Sequence, residues 1–297
     1  MDEREQGLHV VAVRYEGSER MAAESDPTPA YAASGTYDIF GPPVVVEPVL
    51  PELSADIEPA VALGVLGGEI AVAVAEGRRA GRPVLVVGGH CASLPGVLGG
   101  LQEAHGPDAR IGLVWFDAHG DFNTPRTSLS GMLGGMPVAV AAGLALPEWR
   151  IASRMAAPLP TDRIVLVDVR NLDPAEEQLI RATDAVVAAV SPDFEGADLE
   201  TSVRALAERC DIIYLHVDSD VLDQRFVPNH PTVESGGPNI TQTLAAIDRV
   251  MATGKVAAFG LVAVWIHGEG GEQSLASASQ LLDGAVRSWR ANSPVPA

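Results

Sequence analysis

The sequence predicts an α/β protein in three layers, with a mostly parallel central sheet and helices on both faces. Three observations carry that expectation. Short apolar strands alternate with stretches of helical composition, which is the pattern of parallel β-α units. Two of those strands run straight into acidic residues at alternate positions, and in such sheets ligands gather beyond the carboxyl ends of the strands. No linker or internal repeat divides the 297 residues, so residues 1–297 are expected to form a single domain.

The elements follow in order. Residues 9–13 are rich in Val and open as a strand. Residues 16–51 hold many Ser, Gly, Pro and Tyr and read as a long loop, part of a pocket rim. Residues 60–79 have the Ala, Leu and Glu of a helix, interrupted by glycines. Residues 83–87 form an apolar strand ending at Gly88-Gly89, and a helix is expected over 94–103. Ile111-Gly112-Leu113-Val114 begins the next strand, which leads into Trp115-Phe116-Asp117-Ala118-His119-Gly120-Asp121. A polar loop over 123–130 precedes a helix near 137–144, and residues 163–169 form another buried strand. Asp173 is an N-cap with Pro174 at the first helical position. Strands are predicted over 185–190, 212–217 and 256–264, and helices over 199–208, 240–253 and 272–291.

Hydrophobic residues make up 47% and charged residues 20%, a globular composition. The formal net charge of −19 argues against nucleic acid, whose phosphates demand clustered Lys and Arg. Two cysteines, Cys91 and Cys210, supply no disulfide framework. Residues 1–6 are charged with no apolar stretch behind them, so no signal peptide is expected. No apolar run is read as reaching the roughly 18–20 residues of a membrane helix. The expected setting is the cytoplasm, without membrane.

Asp117, His119 and Asp121 occupy alternate positions and so project to one side of an extended chain. Buried carboxylates are costly unless a cation or hydrogen bonds compensate them. Asp218 and Asp220 end the strand through Tyr214-Leu215-His216-Val217 in the same way. Together these residues offer four carboxylates and an imidazole, a set that suits a pair of divalent ions, with Mn²⁺ the natural choice. Helix caps and loop solvation, or a single ion, are the other readings. Gly88-Gly89 lacks both the G-x-G-x-x-G and the G-K-[ST] pattern, and a nucleotide loop would leave the aspartates unexplained.

On these motifs the chain resembles the arginase/agmatinase (ureohydrolase) family. Asp117-Ala118-His119-Gly120-Asp121 matches its Asp-Ala-His-x-Asp signature, and Asp218-Ser219-Asp220-Val221-Leu222-Asp223 its Asp-x-Asp-x-x-Asp signature. The resemblance runs from about residue 83 to the C-terminus and implies an arginase-like three-layer fold. It implies that Asp117 and Asp218 bridge two Mn²⁺ ions, with His119 and Asp220 completing one and Asp121 the other. Hydroxide activated by the metals would then hydrolyse a C–N bond of a guanidino, amidino or related group. Asn123, Ser128 and Ser130 lie in the segment that resembles the family's substrate loop. The resemblance also implies a small-molecule substrate and a homo-oligomer, trimer or hexamer.

Three departures shape the expected chemistry. Cys91, preceded by His90, stands where the family places its first histidine ligand, and is taken as a sixth metal ligand. A thiolate is softer and favours Zn or Fe over Mn; the other reading is a small buried filler. His90 should point away from Cys91. Gly134 stands where arginases carry a proton-shuttling histidine, and Ala263 where the family's glutamate holds the guanidinium. Nω-hydroxyarginine hydrolases of the family resemble this chain in having lost standard positions, with a cysteine at the first ligand. The expected substrate is therefore a guanidino or hydroxyguanidino compound, the alternative being a non-catalytic arginase-fold binding or assembly protein. His230 reads as a replacement acid or base, or else as a solvated loop imidazole. His216 shares parity with Asp218 and could face the site from deeper down, or be a buried hydrogen-bonded imidazole. Glu269 and Glu272 read as surface carboxylates of a glycine-rich loop, or as substitutes for the missing glutamate. His267 reads as a loop residue, and His9 and His105 carry no signal.

Overall fold

The computed structural model describes residues 7–106 and 108–293; the expectation for residues 1–6 lies outside them. In chain order the elements are β1 (His9–Val13), β2 (Tyr15–Glu16), β3 (Glu19–Arg20), α1 (Thr28–Ala33), β4 (Val44–Val46), α2 (Pro59–Arg79), β5 (Val84–Gly88), α3 (Leu94–His105) and β6 (Ile111–Phe116). There follow α4 (Pro137–Ala141), α5 (Pro147–Ala152), β7 (Ile164–Val167), α6 (Pro174–Arg181), β8 (Val186–Ala189), β9 (Ala197–Asp198), α7 (Leu199–Arg209), β10 (Ile212–Asp218), α8 (Ile240–Met251), β11 (Val256–Val262) and α9 (Gly271–Asn292).

Nine strands form one sheet in the order β4-β1-β5-β11-β10-β6-β7-β8-β9. Every pairing between them is parallel. Alternation along the strands sorts two cores. Leu85, Val114, Phe116, Leu215, Val217 and Phe259 pack with residues of α7, α8 and α9. Val86, Leu113, Trp115, Tyr214 and Val262 pack with residues of α2, α3 and α4 on the other face. The three-layer expectation holds because central parallel strands, buried on both sides, need helices over both.

Differences from the sequence expectation cluster where apolar patterning is weak. The span read as a loop over 16–51 contains α1 and the edge strand β4, whose three valines are only partly covered. The helix α5 and the two-residue β9 had no periodic signal of their own. Helix α2 also overturns the expectation that no run is long and apolar enough to cross a membrane. By length and composition it qualifies, yet 67% of its most apolar window is buried, as in a core helix. Its glycines explain the burial: the Gly67 backbone occupies the space that a Cβ on Gly96 would need, so α2 and α3 meet backbone to backbone.

Candidate metal centre

The sheet order sets β5, β11, β10 and β6 side by side, so their carboxyl ends open onto one place. After β5 the chain turns through Gly88 and Gly89, both with left-handed φ (75° and 61°). At Gly88 a Cβ would run into the Val13 carbonyl, so only glycine lets the strand turn there and deliver Cys91. Val217 of β10 pairs with Phe116 of β6, which puts Asp218 and Asp117 at adjacent strand ends. Past β6, Asp121 also adopts a left-handed conformation (φ 46°), which Asp tolerates better than most residues.

Three groups of ligand-capable side chains result: Cys91, Asp117 and Asp218; Asp117, His119 and Asp220; and Asp218, Asp220 and His230. In the first, Cys91 Sγ lies 3.0 Å from Asp218 Oδ2 and 3.6 Å from Asp117 Oδ2. In the second, His119 Nδ1 lies 3.1 Å from Asp220 Oδ2 and 3.3 Å from Asp117 Oδ1. Asp117 therefore offers one oxygen to each half. Backbone N–H groups aim the carboxylates: His119 N donates to Asp117 Oδ1 (2.7 Å), Asp220 N to Asp218 Oδ1 (2.9 Å) and Ala118 N to Asp220 Oδ1 (3.1 Å).

The electrostatics point to missing positive charge. Burial and the neighbouring carboxylates push Asp117 well above the usual carboxylate range, and burial does the same to Asp121 and raises Asp218. Burial also opposes the charged forms of Asp220 and His119, but hydrogen bonds to Asp117 and Asp220 hold His119 up to about 12, and His119 in turn holds Asp220 low. Burial, with Asp218 beside it, pushes the Cys91 thiol well up. So many acidic groups in one buried place are compensated best by cations, and the mix of oxygen, imidazole and sulfur donors fits divalent metals.

Asp121 is buried next to this cluster, but its oxygens fall outside the three groups. Asn123 is tied up in the loop: its amide donates to Asp173 (3.2 Å) and its oxygen accepts from Thr127 (2.9 Å). Ser128 and Ser130 accept the N–H groups of Gly131 and Met132 and lie at the surface. His90 does point away from Cys91, its ring lying against the backbone of Gly17 and Ala92. Ala263 is buried at the end of β11 with φ 54°, and Gly134 brings no side chain. Glu269, Glu272 and His267 are exposed.

His230 proves more central than its loop position suggested. It is buried, with Nε2 3.5 Å from Asp218 Oδ1. Two acidic residues escaped the sequence reading. Buried Glu176 accepts the Phe122 N–H (2.8 Å) and the Asp173 N–H (3.2 Å), fixing the loop behind Asp121. Glu234 comes within 3.7 Å of His119 Nε2. The S/T/D-x-x-E cap pattern at Asp173 was a signal for Glu176; no spacing signals Glu234. An open cavity of about 680 Å³, lined by Arg110, Arg154 and Arg163 among others, lies at the amino end of β6, away from this cluster.

Comparison with known proteins agrees with the geometry. The family model described as "Arginase family" matches residues 53–283. An arginase of Bacillus caldovelox is 32% identical over 183 residues, 61% of this chain and 60% of that protein. One from Entamoeba histolytica is 32% identical over 152 residues, 50% of each chain. The aligned segments thus span only about half to three fifths of these curated relatives. Among solved structures, the Bacillus caldovelox arginase superposes with a TM-score of 0.80 at 24% identity, covering 95% of this chain and 98% of its own. Formimidoylglutamase from Bacillus subtilis gives 0.73 at 16% identity, covering 99% and 90%. At such identities these structures establish the fold.

Proposed function

Because the chain belongs to the arginase family, we propose that it is a metal-dependent hydrolase cleaving a C–N bond of a small guanidino or hydroxyguanidino compound. The observation that carries this reading is the sharing of Asp117, Asp218 and Asp220 among three adjacent ligand groups, the arrangement that two neighbouring cations require. Cys91, Asp117, Asp218 and Asp121 would hold one ion, and Asp117, His119, Asp218 and Asp220 the other. Mn²⁺ suits the oxygen and imidazole donors around His119. When bound, the ions would supply the acidity that lets water attack a trigonal carbon at neutral pH and the charge that steadies the product-forming state.

The chain's own residues supply the rest. His230 Nδ1 accepts the Thr232 N–H (3.2 Å), which leaves the proton of a neutral ring on Nε2, beside Asp218. That nitrogen has no hydrogen-bond partner among the described residues, so it can donate a proton to a leaving amine where Gly134 cannot. Ser128 and Ser130 accept backbone N–H groups and lie 3.4 Å apart, hydroxyl to hydroxyl, so the pair would offer one O–H proton to the substrate's polar tail. Asn123 acts by holding the loop. The reading includes a cytoplasmic homo-oligomer of three or six copies, in keeping with two unpaired cysteines and with the resemblance.

The test is metal analysis of the purified protein after loading with Mn²⁺, followed by assays for urea and hydroxyurea from a panel of guanidines and hydroxyguanidines. Turnover that disappears in Asp117→Asn is the expected result. Two bound ions with no turnover of any panel member would favour a binding or assembly role, the reading to which Gly134 and Ala263 lend themselves. Light scattering gives the number of copies.

A further inference from the structure

Directly beneath the cluster lies a buried imidazole that the proposed chemistry does not use. His216 is fully buried in β10, its ring stacked on Trp115 with centroids 3.7 Å apart and planes 4° from parallel. Its Nδ1 is 2.9 Å from the Tyr214 hydroxyl and its Nε2 is 3.5 Å from Cys91 Sγ. The Tyr214 hydroxyl sits over Gly260, where a Cβ would collide with it, and His216 is its hydrogen-bond partner among the described residues.

The donors settle the direction of this chain of contacts. A phenol buried beside one acceptor donates to it, so Tyr214 O–H points at Nδ1 and the ring proton resides on Nε2. That N–H faces sulfur. Sγ in turn is directed at Asp218 Oδ2, 3.0 Å away. With the opposite tautomer the Tyr214 proton would have no acceptor.

We propose that His216 is a positioning residue, oriented by Tyr214 and Trp115, whose Nε2–H donates to Cys91 Sγ and fixes that sulfur where it can ligate one ion of the pair. This rests on the metal-site reading above and deepens it: the half of the site containing Cys91 takes Zn²⁺, Fe²⁺ or Co²⁺ in preference to Mn²⁺, because sulfur donors select softer ions. Residues behind a ligand commonly change metal affinity by about 10–100-fold when removed, and that is the scale expected for His216.

The experiment uses the full-length protein loaded with Co²⁺, whose near-ultraviolet thiolate-to-cobalt absorption reports Cys91 directly. The wild type should bind two Co²⁺ and show the band, and Cys91→Ser should lose the band. His216→Phe, which keeps a ring against Trp115, should shift the band and weaken one Co²⁺ by about 10–100-fold in competition with a chelator. Tyr214→Phe removes only a hydroxyl and should shift the band less; it decides the matter if His216→Phe fails to fold. Two bound Co²⁺ without a thiolate band in the wild type would overturn the proposal and leave the metal site standing. A band identical in wild type, His216→Phe and Tyr214→Phe would overturn the role of His216. No Co²⁺ bound at all would remove the metal-site reading and this proposal with it.

Discussion

Asp117 gives one carboxylate oxygen to each half of the cluster, and its neutralisation separates metal binding from folding. In the metal-free protein, Asp117→Asn relieves repulsion among buried carboxylates, so its melting temperature should equal or exceed that of the wild type. With metal at about a hundred times its Kd, the wild type should gain about 2.7 kcal/mol, and the variant should lose most of that gain. Melting curves with and without Mn²⁺ check both signs, and an undiminished metal shift in the variant would refute the role of Asp117. A second residue governs a pH effect far from the cluster. Burial lowers the pKa of His9 below 6.5 even though Glu76 opposes it, and its Nε2 has no hydrogen-bond partner among the described residues. The folded state therefore keeps His9 neutral while the unfolded chain takes up a proton, so stability present above pH 6.5 declines as the pH falls toward the folded pKa. Urea titrations between pH 7 and pH 5 should show a shallower decline in His9→Phe than in the wild type. Both aspartate motifs were legible because alternating carboxylates follow apolar strands, but the chain leaves β6 at Phe116 and turns at Asp121, so alternation alone did not show that Asp121 would fall outside the ligand groups. His230 was readable as a candidate acid or base but not as a buried one, because its burial depends on a loop that has no period.

That loop, residues 219–239, is organised by Arg170, which lies outside both motifs. The guanidinium donates to the carbonyls of Asp220 (2.9 Å), Val221 (3.0 Å), Leu222 (3.2 Å) and Glu234 (3.3 Å), binding the two ends of the loop together. Arg170→Ala would strip several carbonyls of a charged donor and should cost about 3 kcal/mol in urea unfolding while weakening metal binding on the His119 side. Gly237→Ala tests the same packing sterically, since its Cβ would come within 2.6 Å of Arg170 Nη2 and the Val221 oxygen. It should destabilise by about 1–3 kcal/mol. A variant that unfolds and binds metal like the wild type would show that the loop is held elsewhere. Asp223, third aspartate of its motif, serves this loop too, accepting the Gly236 N–H (2.8 Å) and pairing with Arg225 (2.6 Å). From sequence, β10 and its aspartates could be placed but not the arginine that fastens the loop beyond them, because that contact spans about fifty residues with no local pattern.

Across the whole molecule, a net charge of −19 surrounds a site that calls for cations. The field should speed the capture of divalent ions, and salt should screen it. Stopped-flow metal uptake should therefore slow several-fold between about 10 and 150 mM NaCl; an unchanged rate would mean that the charge is too dispersed to steer. The fold class could be read because alternating apolar strands and helices leave few architectures. The strand order could not, since an all-buried strand carries no mark of its neighbours, and β4 was missed for want of any apolar run beyond three valines. That order has a consequence for synthesis. The last strand of the described chain, β11, inserts between β5 and β10 at the middle of the sheet. A nascent chain that has not yet released residues 256–262 from the ribosome would carry two open inner edges and an unfinished cluster floor. The sheet beneath the cluster therefore closes only once β11 is in place, although every ligand-capable residue of the cluster precedes it in the chain.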